Sequence, residues 1–181
     1  MKVSKSPLQL LSFNIIRTQY EYFPPNEDLD INKLEDIFDE YEIDIDYAIR
    51  KANEQIIAIF AKIYINIGDT VKIGHSIFVE SITTFGIDDG LTESDAKSLI
   101  TVSGVSIAFN NLRGYISNLT SQSPTGSYLF PTFDIIALIN AKKAAFEKSK
   151  KPTDSNQKQG NKPKKVTKKS TSAKKGVKKN R

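Results

Sequence analysis

The sequence has no cysteine, no tryptophan and a single histidine, His75. Without thiols there can be no disulfide, thiolate metal site or cysteine nucleophile, and the composition suits a reducing cytoplasm. One histidine cannot build a catalytic triad or a multi-histidine metal centre within one chain. His75 lies between Gly74 and Ser76 in a strand-like run, where a structural role is the expectation. Long apolar runs are missing too. None approaches the ~20 residues of a membrane-spanning helix. Near the N-terminus LQLLSFNII is interrupted by Gln9, Ser12 and Asn14, so it reads as a strand and not as a signal peptide, and the sequon at Asn118 has no role.

Other chemistry is absent for local reasons. Asp28-x-Asp30-x-Asn32 begins like a calcium loop, but Lys33 stands where glycine is needed and Asp39 where a bidentate glutamate belongs. Asp44 and Asp46 share a strand face with nothing apolar nearby to raise either pKa for acid catalysis. Gly86 and Gly90 flank Ile-Asp-Asp, an acidic turn that repels phosphate. These absences argue against an enzyme and leave no cofactor or metal to expect.

Charge is plentiful but divided. From Lys148 onward stand 14 basic residues and one acid, a net +13; the first 147 residues hold 12 basic and 20 acidic side chains, a net −8. The chain divides accordingly into a domain at 1–147 and a lysine-rich tail at 148–181. The tail has no aromatic residue and little apolar surface, the composition of a segment that does not order itself. Its Lys164, Lys165, Lys168, Lys169, Lys174, Lys175, Lys178 and Lys179 suit salt-dependent contact with a polyanion such as RNA, a ribosome or an anionic membrane surface. Lacking interleaved aromatics, they offer nothing for base stacking.

In the domain, YEIDIDYAIR alternates with Ile43, Ile45, Tyr47 and Ile49 on one face and acids on the other, the pattern of a half-buried strand. QIIAIFAKIYINIG continues it, with Ile57, Ile59, Ala61, Ile63, Ile65 and Ile67 on one face and Ile56, Phe60 and Tyr64 on the opposite one. TVKIGHSIFVESITTFGI is the next strand, with Val71, Ile73, Ile77 and Val79 in register, and LQLLSFNIIRTQYEYF is a strand closed by Pro24-Pro25. The acidic INKLEDIFDEY between them carries Ile31, Leu34, Ile37, Phe38 and Tyr41 at helical spacing. After Thr92 the period changes: Val102, Val105, Phe109, Leu112, Ile116 and Leu119 recur every three or four residues, a helical stripe. Gly104 and Gly114 within it suggest a close helix–helix contact. SQSPTGS ends that helix and DIIALINAKKAAF forms a shorter one. Strands first and helices last predict an α+β fold, a four-stranded antiparallel sheet with both helices on one face. Ile56, Phe60, Tyr64, Phe78 and Ile82 then point to the other face, apolar surface that fits subunit contact or client binding.

Order and motifs together resemble the SecB family of protein-export chaperones. FNNLRGYISNL places Phe109, Arg113, Ile116 and Leu119 at the spacing of that family's long helix, and Leu129, Pro131, Phe133 and Asp134 of LFPTFDIIAL resemble its lead into the last helix, one residue shorter between proline and phenylalanine. EIDIDYAI and FVESITTFGI resemble its second and last strands. The resemblance spans about Leu8 to Phe146 and implies a cytoplasmic holdase assembled as a dimer of dimers, binding unfolded polypeptides in apolar grooves between sheet and helices. Phe60, Tyr64, Tyr128, Phe130 and Phe133 are then the candidate client-binding residues, with ordinary core packing the alternative for the last three. The resemblance also implies docking of a SecA-type translocase motor on the sheet, where Glu21, Phe78 and Glu80 match the family's patch. Arg17 departs from it, standing where the family has an aspartate, and the acidic helix after Pro25 is an insertion. A dedicated partner such as an antitoxin fits the same resemblance. The competing function class is a nucleic-acid-associated protein acting through the basic tail.

Overall fold

The computed structural model describes residues 4–25 and 34–150. The eight tail lysines and the Asp28–Asn32 fragment of a calcium loop lie outside the described residues.

Four strands form one antiparallel sheet: β1 (Leu8–Phe23), β2 (Ile43–Lys51), β3 (Ile56–Ile65) and β4 (Gly74–Ile87). Their order is β1-β4-β3-β2, so the first strand crosses over to pair with the last. A short helix α1 (Leu34–Asp39) fills that crossover. Helix α2 (Glu93–Leu99) passes through a π turn at Ile100–Gly104 directly into α3 (Val105–Thr120), and α4 (Ile135–Lys150) follows a linker. Thr92 caps α2, its hydroxyl accepting the amide of Asp95 at 3.2 Å. The helices cover one face of the sheet, as the patterning predicts.

The core lies between that face and α3. Ile59, Ala61, Ile63 and Ile65 of β3 and Ile77, Val79 and Phe85 of β4 are fully enclosed beneath Val105, Ala108, Phe109, Leu112 and Ile116. Gly104 permits the contact, for a Cβ there would stand 2.9 Å from Ile59 Cδ1 and 3.6 Å from Leu8 Cδ2. The close approach expected between helices is therefore one of helix on sheet. Gly114, by contrast, has open space around it.

Four apolar residues of the predicted stripes are exposed, Ile49 near the end of the edge strand β2 among them. Val102 is exposed because the π turn inserts an extra residue and rotates the helix face ahead of it. Ile67 is exposed because β3 stops at Ile65 and Asn66 adopts a left-handed φ of 54°. Val71 and Ile73 lie outside β4, which starts only at Gly74, and Val71 is exposed.

Candidate functional site

The linker between α3 and α4 returns along the helix it has just left. The Tyr128 amide donates to Thr120 Oγ1 at 2.8 Å, and the Arg113 guanidinium donates from Nε to the Phe130 carbonyl at 2.9 Å and from Nη2 to the Pro131 carbonyl at 3.0 Å. That planar fork spans two successive carbonyls, which a lysine ammonium cannot do in the same geometry. Asp134 then caps α4, its carboxylate accepting the amides of Ile136 and Ala137. Lys142, two turns on, forms an ion pair with Asp46 and sits 5.2 Å from the Tyr47 ring, tying α4 to the edge strand β2.

An extended linker turns successive side chains to opposite sides. Tyr128 and Phe130 point inward and are 3% and 2% exposed; Leu129 between them points out and is 74% exposed. Phe133 is half-buried, edge-on to Phe109 at 5.2 Å and to Phe130 at 5.8 Å. Ile136, one turn into α4, is 50% exposed. Of the three linker aromatics expected on a groove wall, only Phe133 presents surface; Tyr128 and Phe130 belong to the core. The apolar surface here is made by Leu129, Phe133 and Ile136. Leu129 was read from the sequence only as part of the lead into the last helix and Ile136 was not singled out, although the alternation around Leu129 is a usable signal for exposure.

Tyr128 closes an aromatic cluster at one end of the sheet. The His75 ring is fully buried among Tyr20, Tyr22, Phe38 and Tyr128, with centroids 5.3–5.9 Å away. Its Nδ1 lies 3.2 Å from the Tyr20 hydroxyl and its Nε2 3.3 Å from the Thr125 hydroxyl. Burial disfavours the imidazolium and lowers the His75 pKa. Burial also pushes Tyr41 up to about 12 and raises Tyr128. The Tyr41 hydroxyl donates to the Ile73 carbonyl and accepts the His75 amide, both at 2.8 Å, latching the segment after α1 onto the start of β4. Gly74 must be glycine here, for its φ is +97° and a Cβ would meet the Tyr41 hydroxyl at 2.1 Å. The histidine is a structural one, as its sequence context suggests.

On the sheet's outer face, Tyr64 and Phe78 are cross-strand partners with centroids 4.7 Å apart. Arg17 lies over Phe78 at 5.4 Å and Arg50 over Phe60 at 5.6 Å. Lys62 pairs with Glu80 at 3.2 Å. Phe78 is only 6% exposed, while Phe60 and Tyr64 are half-buried. Glu21 lies on the same face, opposite Ser76. The structure thus brings Glu80 and Phe78 together with two cations, and the face is of mixed charge instead of acidic. Among the described residues no group of three or more His, Asp or Glu side chains is placed to hold a metal ion. No described helix is long and apolar enough to cross a membrane.

No protein-family model matches this chain, and no curated protein does. The solved structures that this chain matches include the following two. One is the SecB-like chaperone Rv1957 of Mycobacterium tuberculosis, in complex with a ChAD peptide from the Rv1956 HigA1 antitoxin. It is 13% identical, with a TM-score of 0.49 over 70% of this chain and 91% of that one. The other is a protein of unknown function from Streptococcus agalactiae, 9% identical, with a TM-score of 0.38 over 69% of this chain and 97% of that one.

Proposed function

We propose that this protein is a SecB-like holdase, which binds non-native polypeptides through apolar surface and catalyses no reaction. The observation that carries the reading is the solvent-facing set Leu129, Phe133 and Ile136, fixed in place by the Arg113 fork and the Asp134 cap. A holdase needs apolar area with little demand on shape, held on a support that does not collapse around it. Each Å² covered contributes roughly 25 cal/mol, and sequestering the unfolded client lowers its free concentration by mass action. Phe60 and Tyr64 on the outer face add area, although Arg50 already covers part of Phe60. The residues that resemble the SecB helix and linker meet in pairs, Phe109 with Phe133 and Arg113 with Pro131, and support the reading.

Assembly as a dimer of dimers in the cytoplasm, serving protein export, completes the proposal. Several sites per assembly give a long client avidity that one site lacks. Docking of a SecA-type motor has less support, because Arg17 and Lys62 offset the acids on the face that would receive it. The test is suppression of aggregation of a chemically denatured client by the full chain, with light scattering on the same sample. Suppression by a tetramer is expected. A monomer that leaves aggregation unchanged defeats the reading. A second reading, polyanion binding through the tail, rests on the +13 charge from Lys148 onward. It predicts RNA binding that falls steeply with salt.

A further inference from the structure

A cavity of about 630 Å³ opens between the β2–β3 hairpin, the end of β4 and the start of the long helix. Its floor is apolar, with Ile57, Ile87 and Ile100 among its lining residues. Its rim carries Glu54, Asp88, Asp89 and Glu93 against Lys51 and Lys97, an excess of two negative charges. Asp88 and Asp89 also line a neighbouring cavity of about 380 Å³ beside Leu11 and Ile56, so they stand between two hollows. Among the described residues Glu54, Asp88 and Glu93 have no ion-pair partner.

The fold aims the end of α4 at this place. Phe133 packs on Phe109, and α4 then lies against the π turn, so α4 runs back along the long helix toward the end that lines the cavity. Lys142 stands at Asp46 and Tyr47, and Ile49, two residues further on the same strand face, is a cavity residue. From Lys142 to Lys150 the helix advances ~12 Å. Thirty-one residues follow, 151–181. A flexible chain of that length spans ~30 Å on average, so reach does not limit docking.

The tail repeats one pattern. KKVTKK at 164–169 and KKGVKK at 174–179 each set a valine between two lysine pairs. That is the complement of an apolar floor between acids. We infer that the cavity is a docking site for this chain's own C-terminal tail, with Val166 or Val177 seated on the floor and the flanking lysines paired to Glu54, Asp88, Asp89 and Glu93. The local concentration set by the tether lets such a weak contact form within one molecule. Occupancy falls with salt, because each pair is exposed and screened. Docking and polyanion binding then compete for the same lysines.

The test is zero-length carbodiimide coupling of the full chain at low ionic strength, with the linked peptides mapped by mass spectrometry. Links from Lys164–Lys179 to the four rim acids are expected in excess over links to Glu40, Glu42 and Asp69. Those three acids line a polar cavity at the opposite end of β3 and serve as the internal control. Replacing Asp88→Asn, Asp89→Asn and Glu93→Gln removes those three coupling sites, so the readout is Glu54, the rim acid that remains, whose links to the tail fall about tenfold, the combined weight of three exposed ion pairs. Val166→Ser with Val177→Ser, outside the described fold, lowers the rim links as well if valine is seated on the floor. An even spread over all acids overturns the proposal in favour of diffuse attraction to the −8 domain. Unchanged links in the valine variant overturn the seating. A mixture of isotopically light and heavy protein separates self-docking from docking on a second copy, and links found only between chains overturn it too.

Discussion

Leu129 and Phe130 are adjacent in sequence, yet they predict opposite phenotypes. Fully burying a leucine or isoleucine side chain is worth about 1.5–3 kcal/mol. With 74% of Leu129 and 50% of Ile136 uncovered, a bound client can gain ~2–4 kcal/mol from the two together, a factor of ~30–500 in Kd. Leu129→Asp with Ile136→Asp therefore weakens client binding by about that factor. It leaves the unfolding free energy from urea melts within ~0.5 kcal/mol of the parent, since neither residue fills the core. Phe130→Ala removes a ring that is 2% exposed and costs ~3–5 kcal/mol, a large part of the ~5–15 kcal/mol that holds a domain folded. In a protein of this size that lowers the melting temperature by ~6–20 °C. Client affinity is read by fluorescence titration of a permanently unfolded, labelled polypeptide, and stability by urea unfolding of the same preparations. Two results refute the reasoning. One is a Phe130→Ala protein as stable as the parent. The other is a double aspartate variant that binds client undiminished.

Tyr41→Phe strands the Ile73 carbonyl and the buried His75 amide; unfolding free energy should fall by ~2–4 kcal/mol, and hydrogen exchange at the His75 amide should accelerate. His75 is held neutral in the folded state with its pKa lowered, so the unfolded chain binds its proton first as pH falls. Its contribution is fully present above the unfolded value near 6.5 and is lost as pH falls toward the folded pKa. Stability measured from pH 7 to pH 5 should decline, and His75→Gln should remove that part of the slope. Gly114→Ala should stabilise by up to ~1 kcal/mol, because nothing lies within 4 Å of the added methyl. Gly104→Ala gains the same helix propensity but pushes on Ile59, and urea melts should place it ~1–3 kcal/mol below Gly114→Ala.

Much of the fold was legible because burial imposes a period. The alternation of Ile57, Ile59, Ala61, Ile63 and Ile65 and the stripe from Val105 to Ile116 mark the two faces that meet. Val102, Ile67 and Val71 were misplaced where a period is interrupted by backbone geometry that composition does not encode, a π turn in one case and strand ends in the others. The linker aromatics were harder still. An extended segment has two sides, and the sequence does not say which faces the sheet, so Tyr128, Phe130 and Phe133 read alike. A hydrogen bond accepted by Thr120 and two donated by Arg113, distant along the chain, decide the matter. The cations over the outer face were legible only as single residues. Arg17 meets Phe78 through a crossover pairing between the first and last strands.

That crossover leaves β1 on the edge of the sheet, sixteen residues long, with one rim of its backbone unpaired among the described residues. An exposed edge of this length is a template on which extended chains can stack. A protein that gathers unfolded polypeptides would be the worst place to present one. The ladder of β1 with β4 shifts register between Leu10 and Ser12 and again between Ile15 and Arg17. Each bulge bends the strand and breaks its outer rim, so an incoming chain meets only short straight stretches before losing step. If the proposed holdase reading holds, the irregularity that makes β1 look imperfect as a strand would keep a collector of sticky chains from seeding fibres.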